Sequence, residues 1–193
     1  MASDTRDRLI RSTSRLLRTQ GYAATGLNQV MAEAQAPKGS MYFHFPGGKE
    51  ELAAAAVDHF AERSTVSMRR FLDEHATVAD AVVAIFDSYV LHLGRTGYAE
   101  GCAVASVALD AAASHEVLAE ATGRAVRTWT GTLAAALEAE GRSAEQAHAL
   151  ATLVIAAIEG TLVMAKALQS TEPIATARDA LRATLAPETT PAT

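Results

Sequence analysis

Between Pro46 and Pro173 the chain carries no proline. Proline in a helix interior removes an N–H and clashes with the preceding turn, costing about 3 kcal/mol, so a long proline-free run admits several long helices in series. Alanine, the strongest intrinsic helix former, fills 43 of the 193 positions, whereas aromatic residues make up only 5%. That balance argues against a β-sandwich or barrel, whose strands favour aromatic and β-branched residues. The length fits one domain or two small ones. A single cysteine, Cys102, excludes an intramolecular disulfide, a CxxC redox pair and a cysteine-based zinc site. The opening MASDTRDRL leads into no apolar h-region, so no secretory signal is expected. Apolar runs such as Ala53–Val57 fall far short of the ~20 residues of a membrane span, so the expectation is a soluble, cytoplasmic chain with no membrane partner.

Apolar spacing delimits the helices. Leu9, Ile10, Thr13, Leu16 and Leu17 follow a 3.6-residue period, with Asp4 as N-cap and Gly21 as stop. Leu52 to Leu72 reads as one long helix bent near residues 64–67, and Val78 to Leu93 as another ending at Gly94. A short element over 102–112 follows, then a helix from Val117 to Leu137 closed by Gly141. Ser143 caps the next, through Ala147, Leu150, Val154, Ile158 and Leu162. Thr171 is the expected N-cap of the last, with Pro173 near its start and Leu181 and Leu185 on its apolar side. No segment alternates with period two. The fold class is all-α.

Charge is unevenly placed. The formal net charge is −5, yet residues 1–50 hold seven Lys or Arg against four Asp or Glu, leaving ten basic and eighteen acidic residues in the rest. A basic head on an acidic body suits a polyanion-binding module attached to something else. Arg6 and Arg11 would lend it diffuse electrostatic support.

Residues 21–52 read GYAATGLNQVMAEAQAPKGSMYFHFPGGKEEL. Thr25 can cap a short helix over 26–34 whose Leu27, Val30 and Met31 face inward. A tight turn, Ala34–Pro37, leads to a very short helix over 37–44, ended by Pro46-Gly47-Gly48. Two short helices about a tight turn form a helix-turn-helix, whose second helix enters the DNA major groove. That helix carries Lys38, Ser40, Tyr42 and His44, all hydrogen-bond donors to phosphates or bases, while Gly39 permits close approach. Met41 and Phe45 would anchor it to its neighbours. His44 has no ligand-spaced partner, and neither metal nor cofactor is expected.

The pieces GYAAT, LNQVMAEAQA, KGSMYFHF and KEEL stand at the spacing of the TetR family of transcriptional repressors, which this chain resembles over about 45 N-terminal residues. Two departures are visible. Pro37 replaces the usual Ser or Thr cap. Phe43 stands where the family often has a polar or tyrosine residue, and either lies against a thymine methyl or packs. The resemblance implies a DNA-contacting set of Thr25, Lys38, Gly39, Ser40, Tyr42, Phe43, His44 and Lys49. It implies a three-helix head over 1–48 and a ligand-binding and dimerisation body over 49–186 with about nine helices in total; the low-complexity composition after Ala186 reads as a frayed tail over 187–193.

The body would then dimerise and sense. The resemblance places dimerisation on the last two long helices, with Leu150, Val154, Ile158, Leu162 and Leu181 as seam residues, unless one side of that stripe is the protomer's own core. It places an effector cavity among the body helices, bordered by Phe60, Met68, Phe71, Phe86, Tyr89 and Leu93. Val104, Leu109, Trp129, Leu133, Ile155 and Glu159 complete that set, Glu159 as a polar anchor or a solvent-facing residue. The Gly101-Cys102 opening is similar to a family subset that represses drug-efflux genes. Cys102 itself, flanked by small apolar residues with no base nearby, reads as a buried small side chain. The expected function is a dimeric, effector-released repressor on a pseudo-palindromic operator. The alternative is a helical small-molecule-binding protein with a degenerate head. No convergent polar set suggests an enzyme.

Overall fold

The computed structural model describes residues 2–37 and 39–186. Among them every regular element is a helix: α1 (Ala2–Ala24), α2 (Leu27–Glu33), α3 (Ser40–His44), α4 (Gly48–Glu74), α5 (Val78–Thr96), α6 (Ala103–Asp110), α7 (Glu116–Ala139), α8 (Ala144–Leu168) and α9 (Glu172–Leu185). The expected tail over 187–193 lies outside the described residues.

Several helix ends differ from expectation, each for a local reason. Asp4 lies in the first turn of α1 and does not cap it. Gly21 does not end α1 but kinks it, at φ +78° and ψ 178°, and helix resumes to Ala24. The Thr25 hydroxyl turns back to donate to the Gly21 carbonyl at 2.6 Å, so the N-cap of α2 is Gly26, without a side-chain bond. Helix α3 begins at Ser40, three residues later than Pro37 suggests. Helix α5 runs past Gly94 to Thr96, because Gly97 supplies the left-handed C-cap whose N–H returns to the Leu93 carbonyl. Ser143 and Gln146 form the reciprocal capping box on α8. Thr171 makes no such bond; the Ser170 hydroxyl accepts from the Glu172 N–H at 3.1 Å instead.

The chain divides into two compact units. The first comprises the chain to Ser64 with Ala99–Arg127, and holds α1, α2, α3, α6 and parts of α4 and α7. There α1 packs on α2, α3 and α6. Its core gathers Leu9, Ile10, Leu16, Val30, Ala34, Met41, Phe45 and Leu52, with Leu27 and Met31 against the edge.

The second unit comprises Thr65–Tyr98 and the chain from Thr128 onward, with α5, α8, α9 and the remaining parts of α4 and α7. Helix α9 packs on both α5 and α8. Val82, Phe86, Leu93, Ala147, Ala151, Ile174 and Leu185 are buried there. Arg178 bonds Asp87 at 2.5 Å and Arg182 reaches Asp80 at 3.3 Å, tying α9 to α5 at the surface. Against expectation, α8 is by length and composition alone apolar enough to cross a membrane. Its buried side, Ala147, Ala151, Val154, Ile158 and Leu162, belongs instead to a helix packed on α5 and α9.

Candidate nucleic-acid interface

The first unit builds a rigid corner for α2 and α3. Helix α2 ends with Gln35 in the left-handed region at φ +49°, and the Ala36 N–H returns to the Met31 carbonyl at 3.0 Å. Arg8 donates its Nε–H to the Ala34 carbonyl at 2.9 Å, tying the turn to α1. Pro37 presents its carbonyl to both the N–H (2.9 Å) and the hydroxyl (2.7 Å) of Ser40, which starts α3.

Five residues are too few for a self-supporting helix, so side-chain anchors fix α3. Met41 is 0% exposed and Phe45 1%, both in the core with Leu9, Leu16 and Leu52. The same register turns Tyr42 (61% exposed) and Phe43 (77%) outward. Phe43 therefore does not pack inside the protein; among the described residues its ring neighbour is His44, edge-on at 5.0 Å between centroids. Ser40 and His44 are half-buried at the rim. At Gly39, with φ −79°, an added β-carbon would meet nothing within 4 Å, so no neighbour within the described chain demands glycine. Lys38 lies outside the described residues.

Two other members of the expected set sit differently. Thr25 is 2% exposed, with its hydroxyl engaged by Gly21. Lys49 lies with Nζ 4.2 Å from the centroid of the Tyr22 ring, and burial holds its pKa below the ordinary value. Burial, and then the Glu50 charge, raises that of Tyr22.

The basic character of α1 is more paired than a count of arginines implies. Arg8 meets Asp4, Arg15 meets Glu33, and Arg18 meets Glu100 at 2.9 Å. Arg6 lies over the Phe45 ring at 5.2 Å, and Arg11 is exposed.

Sequence reasoning missed the clamp behind this corner. Asp110, at the end of α6, accepts the Tyr22 N–H at 2.9 Å and the Ala23 N–H at 3.5 Å, capping the helix that restarts after Gly21. The Gly101 N–H donates to the Arg18 carbonyl at 2.9 Å, while Arg18 Nε donates to the Gly101 carbonyl at 3.2 Å. His115 meets Glu50 at 3.0 Å and lies edge-on to Tyr22. These partners stand more than 60 residues apart in sequence, and no local pattern signals them.

Of the expected effector-site residues, Met68, Phe71, Phe86, Tyr89, Leu93, Trp129, Leu133, Ile155 and Glu159 belong to the second unit. Met68, Phe86, Leu93, Trp129, Leu133 and Ile155 are buried there, and Phe71, Tyr89 and Glu159 half-buried. Phe60, half-buried beneath Arg18, and buried Val104 belong to the first. Leu109 is 81% exposed and lines no interior. Cys102 is buried, and its sulfur accepts the Ala105 N–H at the start of α6.

The seam residues Val154, Ile158, Leu162 and Leu181 are buried and Leu150 half-buried within the single chain, so that side of α8 and α9 is protomer core. The opposite side of α8 is also apolar: Leu153, Ala156, Gly160, Val163, Met164, Ala167 and Leu168 are all exposed.

A family model described as bacterial regulatory proteins, tetR family, matches residues 9–56. A second, described as transcriptional regulator LmrA/YxaF-like, C-terminal domain, matches residues 78–180. The chain is 32% identical over 171 residues to the HTH-type transcriptional regulator LmrA of Bacillus subtilis, covering 89% of this chain and 91% of that one. It is 24% identical over 181 residues to the HTH-type transcriptional repressor NemR of Escherichia coli, covering 89% and 88%. Among solved structures, a TetR transcriptional regulator from Chloroflexus aurantiacus is similar at a TM-score of 0.78 with 28% identity, covering 94% of each chain. Reduced E. coli NemR shares the fold at a TM-score of 0.79 and 23% identity, covering 95% of this chain and 98% of that one.

Proposed function

The chain belongs to the TetR family of bacterial transcriptional regulators, and from that premise we propose that it is a repressor which grips a pseudo-palindromic operator as a dimer and lets go on binding a small apolar or aromatic effector. Its relatives are transcriptional regulators, not enzymes. The observation that carries the reading is α3: Met41 and Phe45 bury one side while Tyr42 and Phe43 stand exposed on the other. A degenerate head would have no reason to keep two large aromatic side chains in water beside Ser40 and His44. Gly39, open to solvent, leaves room for a phosphate or base edge to approach the backbone.

Dimerisation fits the exposed side of α8. Leu153, Val163, Met164 and Leu168, interleaved with Ala156, Gly160 and Ala167, form an apolar stripe with helical spacing. An exposed stripe of this kind suits a close helix-to-helix seam with a second copy. For the effector, the second unit supplies Phe86, Trp129 and Leu133 as apolar surface and Tyr89 and Glu159 as polar positions. An effector releases DNA only by binding the free dimer more tightly than the bound one, and full release needs about a 10⁴-fold ratio. Operation on DNA places the protein in the cytoplasm.

A gel shift with the DNA upstream of its own gene tests the reading. Wild type should retard that fragment and Tyr42→Ala should not at the same concentration. Equal retardation by both, with the same salt dependence, would overturn the assignment of α3 as the reading helix.

A further inference from the structure

We infer that Phe43 is the base-selecting residue of the head for thymine, its ring seated on the C5-methyl group of one thymine in each operator half-site. The inference rests on the proposal that the chain binds an operator through α3, and sharpens it. Phe43 is 77% exposed, more than Tyr42 beside it, and among the described residues its ring neighbour is the edge of His44. The helix has no freedom to roll the ring inward, because Met41 and Phe45 on either side of it are locked in the core. The ring is therefore held in water by the fold itself.

Chemistry narrows what the ring can meet. A phenyl group has neither donor nor acceptor, so against a phosphate or against a guanine, adenine or cytosine edge it would strip water from polar atoms and give nothing back. Thymine alone among the four bases offers an apolar group to the major groove, its methyl. The surroundings favour DNA over an apolar protein surface. The hydroxyls of Ser40 and Tyr42 lie on the same short helix, and residues 1–50 carry an excess of positive charge.

The full-length chain is used to select duplexes from a random-sequence DNA library. In the selected duplex each thymine is then replaced by deoxyuridine, which removes only the methyl group. The expected result is one position per half-site where uracil weakens wild-type binding about three- to fourfold, as loss of one buried methyl implies. Phe43→Ala should bind the thymine and uracil duplexes equally, with an unchanged melting temperature. If wild type binds the selected duplex but no thymine shows a uracil penalty that Phe43→Ala abolishes, the inference is overturned while the operator reading stands. That includes the case in which Phe43→Ala binds as well as wild type and the ring serves a protein partner. If no duplex is enriched, the operator reading falls and this inference falls with it.

Discussion

Met41 and Tyr42 are adjacent, yet the fold gives them opposite surroundings. Met41 is fully buried, so Met41→Ala should cost about 2–5 kcal/mol of folding stability, read by urea denaturation. Tyr42→Ala should leave the melt unchanged and weaken operator binding by about 1–3 kcal/mol if its contact is to a base edge. This division was legible in the sequence, since KGSMYFHF places apolar residues four apart around a donor-rich middle. The conduct of the small hydroxyl residues was not. Thr25 and Thr171 were expected to cap helices, but a hydroxyl chooses among several carbonyls and N–H groups within reach, and Thr25 took the Gly21 carbonyl. Of the expected caps, Ser143 holds, and Gln146 three residues on completes its capping box.

At the scale of elements, the kink at Gly21 depends on two helices at once. A β-carbon there would stand 2.5 Å from the Asp110 carboxylate, and the backbone lies at φ +78°. Gly21→Ala should cost about 1–3 kcal/mol from the backbone conformation, with displacement of Asp110 in addition. Asp110→Ala should cost about 1.5–3 kcal/mol by removing a charged acceptor from the Tyr22 N–H. Because both changes break one junction, the double variant should lose clearly less than the two single losses added, as chemical denaturation of all three would show. Helix α8 gives a second contrast. Ile158→Asp places an unpaired charge in the protomer core and should unfold the chain. Val163→Glu, on the exposed side, should keep circular dichroism and yield monomers in sedimentation at micromolar concentration. The sequence announced α8 as an apolar helix but not which side meets what. Both sides are apolar, and a helical period marks a stripe without saying whether the protomer or a second copy covers it. The α1–α6 clamp was invisible for another reason: its partners are brought together by the fold, not by spacing.

For the whole molecule, charge is the property most visible in composition and most altered by folding. The excess of arginine in the first fifty residues is real, but Asp4, Glu33 and Glu100 each hold one of those arginines. On the proposed operator reading, electrostatic attraction is therefore weaker than the count of arginines suggests, and contacts from α3 have more to supply. Acid sensitivity follows from His59, half-buried in α4, whose pKa is held below 6.5 first by burial and then by Arg63. As pH falls below 6.5 the unfolded chain takes up this proton before the folded one does, so stability declines between 6.5 and the lowered folded value. Urea titrations at about pH 7.5 and about pH 5.5 should show this decline, and His59→Gln should flatten it. The anchoring of α3 has a consequence in time. A five-residue helix tethered through Met41 and Phe45 opens only when the core around it opens. The Phe45 amide proton, held by the Met41 carbonyl at 2.8 Å, should exchange with solvent as slowly as those of α1 beneath it, although the helix lies at the surface. The conformational entropy of α3 is then lost when the chain folds, and on the proposed operator reading association is the docking of a preformed surface.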